Sequence, residues 1–523
     1  MFRKRTDRQR NNKENNGKSP SQEAERSLGR NLDDTLSAMR QTLGNSPDIN
    51  FRSFHIGADP GTRVAVIYIE GLIKKPNVND FMSQSLWDEN SDLNDNDSIF
   101  EAILSRASAT LGNLKVITDW DGMIHALLSG NIVILLDGRD GAVIADIHGG
   151  EQRTITEPTT EITVRGPKDS FLESIETNIS LIRRRLKNPN LRLETITIGN
   201  ESKIDVAIMY IKGVTNDQLV REVNLRLSAI QAEAVLGSGY IEELIRDQSL
   251  TPFPTIFNTE RPDMAVGNLL EGRIALLIDG TPFTLIMPTT FSQFLKSTED
   301  YYQRYDFAVF MRVIRYFSFF VLLLLPSSFI ALTTFHHEMI PTTLIINLLA
   351  QREGVPFPAF FEAMMMEISF EIMREAGIRM PRAVGQAVSI VGAIVLGSAA
   401  VEAGIVTAMM VIIVSLTGIA SFAIPGIPMN NAVRMIRFPM MVLASTFGFY
   451  GIMMGIIFLV AHMTSLRSFG VPYLYPFSPF DPWRQKDTIW RSPFKSSRTR
   501  PDLKDKKGES PGIPEGESER HES

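Results

Sequence analysis

Cysteine is absent from all 523 residues, which removes disulfides, thiolate metal ligands and thiol nucleophiles together. The short signatures of common chemistry are missing too. The chain holds no G-x-x-x-x-G-K-[ST], no G-x-G-x-x-G after a strand, no G-x-S-x-G and no H-E-x-x-H. An enzyme is not indicated, and neither a cofactor nor a metal site is expected. His336-His337-Glu338 invites a metal, but neighbouring residues lack the i, i+4 spacing that puts two ligands on one helix face, and the run reads as a hydrated loop. Strong charge is lacking as well: a net charge of −6 argues against a nucleic-acid partner. The opening MFRKRTDRQRNNKENNGKSP is basic but has no apolar core behind it, so no signal peptide is expected. Roughly 300 residues are therefore expected to stay in the cytoplasm before the first membrane span.

What is present divides in two. Residues 1–305 are mixed and charged, whereas 306–466 carry nearly all the long apolar runs. Residues 1–50 read as a disordered polar tail, with Leu28, Leu32, Leu36, Met39 and Leu43 spaced for one short amphipathic helix near its end. An internal repeat follows. Val64–Gly71 matches Val206–Gly213, Ile99–Ile103 matches Ile241–Ile245, and Gly130–Gly138 matches Gly272–Gly280, all at one offset, 206 − 64 = 142. Each copy reads as an α/β subdomain, over 51–156 and 191–305, with a buried strand, a helical pattern and a second strand closing in Asp-Gly. Asp137 and Asp279 are read as turn residues rather than catalytic acids. Between the copies, 157–190 reads as a linker helix capped by Asp169 or Ser170, striped by Phe171, Ile175, Ile179 and Ile182, and closed by Arg183, Arg184 and Arg185 at the negative end of its dipole. Arg165 is a surface or ion-pair residue, or else an anion site.

In the apolar half, Phe317–Thr334, Ala383–Val401, Ile405–Ile424 and Phe438–Met463 are each long enough to cross a bilayer. Arg304, Arg312 and Arg315 before the first run favour an N-inside orientation. Four spans strand Arg379, Arg382, Arg434 and Arg437 outside; five place those arginines inside and the tail, 467–523, outside. The many basic residues of the tail favour four. Gly385, Ser389, Ala393 and Gly397 recur every fourth position, and Gly451 and Gly455 form a further small-residue pair. Such faces serve close helix packing within a subunit or between subunits. Pro425, Gly426 and Pro428 make a stiff turn at the membrane edge, a place for a gate or a plain reversal.

The stretch Phe357–Arg382 is the anomaly. On a helix, Glu367, Glu371 and Glu375 fall in one narrow sector, with Glu362 a turn earlier, while Phe361, Met364, Met365, Ile368 and Ile372 cover the other side. Ionisable groups at membrane depth are costly and usually face a bundle interior, a cavity or a pore. Two readings stand: a carboxylate ladder lining a cation pathway, with Met364, Met365 and Ile368 as an apolar constriction, or an amphipathic helix at the interface with its acids in water. A non-conducting scaffold, with the glutamates paired to Arg374, Arg379 or Arg382, is the alternative from another class.

From about Asn50 to Pro493 the sequence resembles the A subunit of GerA-type nutrient germinant receptors of spore-forming bacteria. The resemblance rests on Glu157-Pro158, Arg165-Gly166-Pro167 with Phe171, Glu173, Asn178, Arg183 and Arg185, on Gln351-Arg352-Glu353-Gly354-Val355-Pro356-Phe357-Pro358 with Glu362, Glu371, Arg374, Glu375 and Pro381, and on Pro425-Gly426 with the PYLYPFSPFDPW tail. It implies a multidomain protein: a cytoplasmic α/β domain of two repeated subdomains followed by an all-α polytopic membrane domain in the spore inner membrane. It also implies partners, namely a transporter-like B subunit, a lipoprotein C subunit, and further copies of the A subunit in a ring of five that conducts monovalent cations.

Overall fold

The computed structural model describes residues 28–56, 62–73, 76, 100–101, 104, 113–147, 149, 158, 160–247, 250–381, 397–482 and 484–493. The chain divides into two compact units, 1–41 with 49–149, and 42–48 with 150–523.

The first copy contains α1 (Leu32–Leu43), β1 (Ile49–Ile56), β2 (Thr62–Ile69), β3 (Leu114–Ile117), α2 (Trp120–Leu128), β4 (Ile132–Leu136) and β5 (Ala142–Ala145). The second repeats it with α3 (Ile175–Arg185), β6 (Leu191–Ile198), β7 (Ile204–Ile211), α4 (Asp217–Ser228), α5 (Ser238–Ile245), β8 (Phe257–Thr259), α6 (Pro262–Leu270), β9 (Ile274–Ile278) and β10 (Thr284–Met287). Each builds a five-stranded sheet, in the orders β1-β2-β4-β5-β3 and β6-β7-β9-β10-β8. The register repeats with the sequence: Val64 faces Leu136 as Val206 faces Ile278, and Val116 faces Val143 as Asn258 faces Leu285. All of these strand pairs are antiparallel, so each copy mixes helices with an antiparallel sheet.

Two elements shift relative to the sequence reading. The amphipathic helix placed at the end of a polar tail is α1, with Leu32, Met39 and Leu43 buried, so ordered structure begins ahead of residue 51. The linker helix is α3, the counterpart of α1, and it packs on its own sheet through Ile179 and Ile182. The Asp-Gly turns hold these helices. Asp137 Oδ1 accepts the Leu32 N–H at 3.1 Å, and Asp279 Oδ1 accepts the Ile175 N–H at 3.1 Å. Gly138 and Gly280, at φ +83° and +78°, donate to Arg30 O and Glu173 O. A carboxylate facing the free N–H groups of a first helical turn is a cap. Glu157 and Ile103 lie outside the described residues.

In the second copy β9 is buried along its whole length. One face of the sheet packs on α4 and α5, while the other packs on α3 and α6 and continues into the apolar helices through Phe291, Phe294, Phe319 and Leu322. These helices are α7 (Tyr305–Thr334), α8 (Thr342–Arg352), α9 (Ala359–Arg379), α10 (Ala408–Phe422) and α11 (Ile427–Ser465). Among the described residues, α7 and α11 are long and apolar enough to cross a membrane, and α10 is shorter. Most of Ala383–Val401 lies outside the described residues, with Gly385, Ser389, Ala393 and Arg382.

Phe438–Met463, read from sequence as one span, is bent in its middle. Gly448 has φ +60° and ψ −140°, values outside the helical region. Beyond it the chain folds back. A Cβ on Gly451 would lie 2.2 Å from Leu443 O, and one on Gly455 2.4 Å from Met440 Sδ. The small-residue pair therefore lets two arms of one helix touch. The bend sits on the end of α7, where a Gly448 Cβ would strike His336 and Phe335. Both ends of α11 return to the second copy: Gly426 N–H donates to Phe294 O at 3.2 Å, and His462 Nε2 lies 2.9 Å from Thr251 Oγ1.

The segment after α11 straps the second copy to the base of α7. Ser468 Oγ donates to Thr255 O, and Phe291 N–H donates to Tyr473 O. Asp487 Oδ1 accepts from Arg312 at 3.0 Å, while its Oδ2 accepts from Tyr301 at 2.6 Å and lies 3.5 Å from Lys296. Asp300, 1 % exposed at its side chain, takes Arg312 and Arg315 at 2.9 and 2.8 Å. Burial of so many charges is tolerable because each meets an opposite one.

Candidate functional site in the helical bundle

Glutamates 362, 367, 371 and 375 all fall on α9. Pro358 starts this helix with the φ of its ring already set, and straight-chain Met and Glu residues carry it on. The carboxylates do not share one environment. Glu362 and Glu367 are buried, Glu371 is 22 % exposed at its side chain and Glu375 is 60 % exposed.

Glu362 is a cap. Its Oε2 accepts the Thr407 N–H and hydroxyl, both at 3.0 Å, at the start of α10, and Arg352 comes within 3.6 Å of Oε1. Further along, Glu367 Oε2 lies 2.6 Å from Arg437 Nη2 on α11. Glu371 Oε1 accepts from Arg434 Nε at 2.8 Å and from Arg437 Nη2 at 3.3 Å, and its Oε2 meets Arg434 Nη2. Glu375 pairs with Arg379 a turn away on the exposed side. Arg374 approaches Ser421 Oγ at 3.5 Å, with its guanidinium 5.5 Å from the Phe422 ring.

The structure thus brings Glu362, Glu367 and Glu371 onto the inner face of α9 and leaves Phe361, Met365, Ile368 and Ile372 on the outer, exposed face. Met364 packs, half-buried, against the core. The acid ladder and the apolar constriction expected from the sequence therefore lie on different sides of α9. Sequence reasoning missed Arg434 and Arg437 as partners. They stood out only as charges awkward for topology, and that awkwardness was the signal, because a cation embedded beside apolar runs needs a buried anion.

These contacts also orient the bundle. Glu362 beside Thr407, Phe370 against Gly418 and Arg374 beside Ser421 make α9 and α10 parallel. Glu367 with Arg437 and Glu371 with Arg434 make α9 antiparallel to the first arm of α11. Arg379, Arg434 and Arg437 lie toward the end that meets the second copy, the end to which the strap also returns.

Arg165 is exposed, its N–H donating to Glu299 Oε1 at 3.2 Å, and Gly166, at φ +140°, sits where a Cβ would strike the Tyr302 ring. Pro425 precedes Gly426, whose Cβ would fall 2.9 Å from Phe294 O; Pro428 opens α11. Among the described residues near the Arg165 turn, Glu161 is the strongly shifted acid: burial pushes its carboxyl up to about 7 against the hydrogen bond from Thr259 and the charge of Arg261. Among the described residues no group of three His, Asp or Glu could hold a metal ion.

A family model described as Bacillus/Clostridium GerA spore germination protein matches residues 37–503. Spore germination protein KA of Bacillus subtilis (strain 168) is 47% identical over 476 residues, covering 91% of this chain and 86% of the relative. Spore germination protein GerLA of Bacillus cereus is 37% identical over 474 residues, covering 90% and 95%. An uncharacterized membrane protein, YfkQ, of Bacillus subtilis (strain 168) is 42% identical over 478 residues, covering 91% and 92%. The crystal structure of the N-terminal domain of the A subunit of the Bacillus megaterium spore germinant receptor GerK3 aligns with 39% identity and a TM-score of 0.41, covering 51% of this chain and 97% of that one. A family match running nearly from end to end, with relatives of this identity, means that the chain belongs to the GerA family of spore germination proteins.

Proposed function

We propose that the chain is the membrane subunit of a nutrient-responsive spore germinant receptor and that it forms an oligomeric, ligand-gated channel for monovalent cations. It works in the spore inner membrane with its N-terminal copies in the cytoplasm, beside a transporter-like B subunit and a lipoprotein C subunit, and as a ring of like subunits. No catalysis is assigned to it. The observation that carries the reading is α9, a helix inside an apolar bundle that places Glu362, Glu367 and Glu371 in succession along one face. Carboxylates at that depth attract cations once water reaches them.

The membrane domain is read as polytopic. α7, α9, α10 and the two arms of α11 each run between the end at the second copy and the opposite end. On this reading the arginines and the strap share one side of the membrane, which supports an even number of crossings. Reconstitution with B and C partners in liposomes tests the function. Nutrient should release potassium or sodium ions, and Glu367→Gln with Glu371→Gln and Glu375→Gln should alter the permeability ratio. Wild-type flux with ratios indifferent to all three changes would move the pathway elsewhere. That outcome favours a scaffold that relays nutrient binding, a reading supported by the Glu375–Arg379 and Glu371–Arg434 pairs.

A further inference from the structure

We infer that Arg434 and Arg437 are counterions that close the carboxylate face of α9, and that the first arm of α11 is the lever that withdraws them. This rests on the channel reading above and adds its regulation.

Glu367 and Glu371 supply two negative charges, and Arg437 and Arg434 lie directly upon them. Arg374, on the same helix, adds a positive charge close by. A permeating monovalent cation therefore meets a local excess of positive charge at largely buried groups, where like-charge repulsion is strong. With the arginines in place the ladder is shut, however acidic it looks in sequence.

The pairing is also of a kind that can part. Arg437 and Glu367 are 1 % and 0 % exposed at their side chains, yet they meet at a single point. Among the described residues, neither Glu367 carboxylate oxygen nor Arg437 Nε makes a well-aligned hydrogen bond. A buried ion pair repays its desolvation only when geometry is good and the remaining donors and acceptors are satisfied. Here they are not, so entry of water on opening relieves unsatisfied atoms as well as separating charges.

The lever follows from where the arm is held. Its start, Gly426, is pressed against Phe294 of the second copy with no room for a side chain. Its far end is the non-helical Gly448. Arg434 and Arg437 stand between these points, about 12 and 17 Å along the helix from Gly426 at 1.5 Å per residue. A helix fixed to a soluble subdomain at one end and hinged at the other converts a displacement of that subdomain into a swing of both guanidinium groups.

The test is cation efflux from vesicles holding the complete receptor, read before nutrient is added. Arg434→Gln and Arg437→Gln should each raise the basal leak about tenfold or more, as removal of a closed-state ion pair shifts a two-state equilibrium. Arg434→Lys and Arg437→Lys, which keep the charge, should stay within about threefold of wild type. Leak in the glutamine variants with lysine restoring closure supports the latch; leak in both sets alike would assign these arginines a packing role and overturn it. Glutamine variants that insert at wild-type levels, answer nutrient and leak no more than wild type also overturn it. If Arg437→Gln is not recovered in the membrane, Arg434→Gln, at a half-buried position, decides alone. A wild-type receptor without nutrient-dependent flux removes the channel reading itself, which is a different result from a conducting wild type with silent variants.

Discussion

The two copies of the repeat share strand order and register, yet they end differently. After β5 the first copy continues with Gly149 and Gln152, at the positions where the second has Phe291 and Phe294. Phe294 is fully buried, its ring 5.5 Å from Phe257, and Phe291 packs edge-on to Phe319 at 5.3 Å. This apolar corner merges the core of the second copy with that of the helices, and 150–523 form one unit as a result. A duplicated fold thus acquires a second role through a few side chains beyond its last strand, with the sheet itself unchanged.

The largest effect should come from that corner. Phe294→Ala leaves a cavity between the second copy and the start of α11 and should cost roughly 3–5 kcal/mol. Denaturant unfolding in detergent measures it, with protease cleavage around residues 295–305 as a second readout. A loss under about 1 kcal/mol would mean that the shared core is not what unites the second copy with the helices.

The strap sharpens the same contrast, because nothing in the repeat requires it. Asp487 is held below the ordinary carboxylate value: burial alone would raise it, but Lys296, Arg312 and the Tyr301 hydroxyl outweigh burial. Asp487→Asn should cost roughly 2–3 kcal/mol near neutral pH, since it leaves buried cations short of a partner. The sign follows from linkage. A carboxylate depressed in the folded state contributes stability above its unfolded pKa, and that contribution disappears as pH falls through the folded value. The gap between wild type and variant should therefore begin to narrow below about pH 4 and close as pH falls through the folded value. A gap of constant size down to pH 3 would show that the aspartate acts by shape alone.

Much of this was legible in the sequence. Offset identity between Val64–Gly71 and Val206–Gly213 foretold the duplication, and Asp-Gly foretold both turns. β3 and β8 were not legible, because short strands at a sheet edge carry little apolar signal. The bend at Gly448 was hidden for a related reason: a glycine inside a continuous apolar run reads as helix, and only the contact of Gly451 with Leu443 O reveals the reversal. Glu367 was legible as a buried acid, but Arg437 was not legible as its partner. Pairing between segments so far apart in the chain is decided by how helices pack rather than by local pattern.

The smallest predicted effect asks whether the copies still work alike where they look alike. Asp137 and Asp279 each close a β-turn and each cap the helix that precedes the first strand, α1 and α3. Replacing either by Ala removes a charge-assisted acceptor from a helix start and should cost about 1 kcal/mol. Hydrogen exchange localises the loss: amides of α1 should open more readily in Asp137→Ala, and those of α3 in Asp279→Ala, by about fivefold in each case. Equal losses would mean that divergence is confined to the edges of the fold. A loss in α1 alone would mean instead that docking against the apolar helices holds α3 independently of its cap, so that the shared core has taken over a task the turn performs in the first copy.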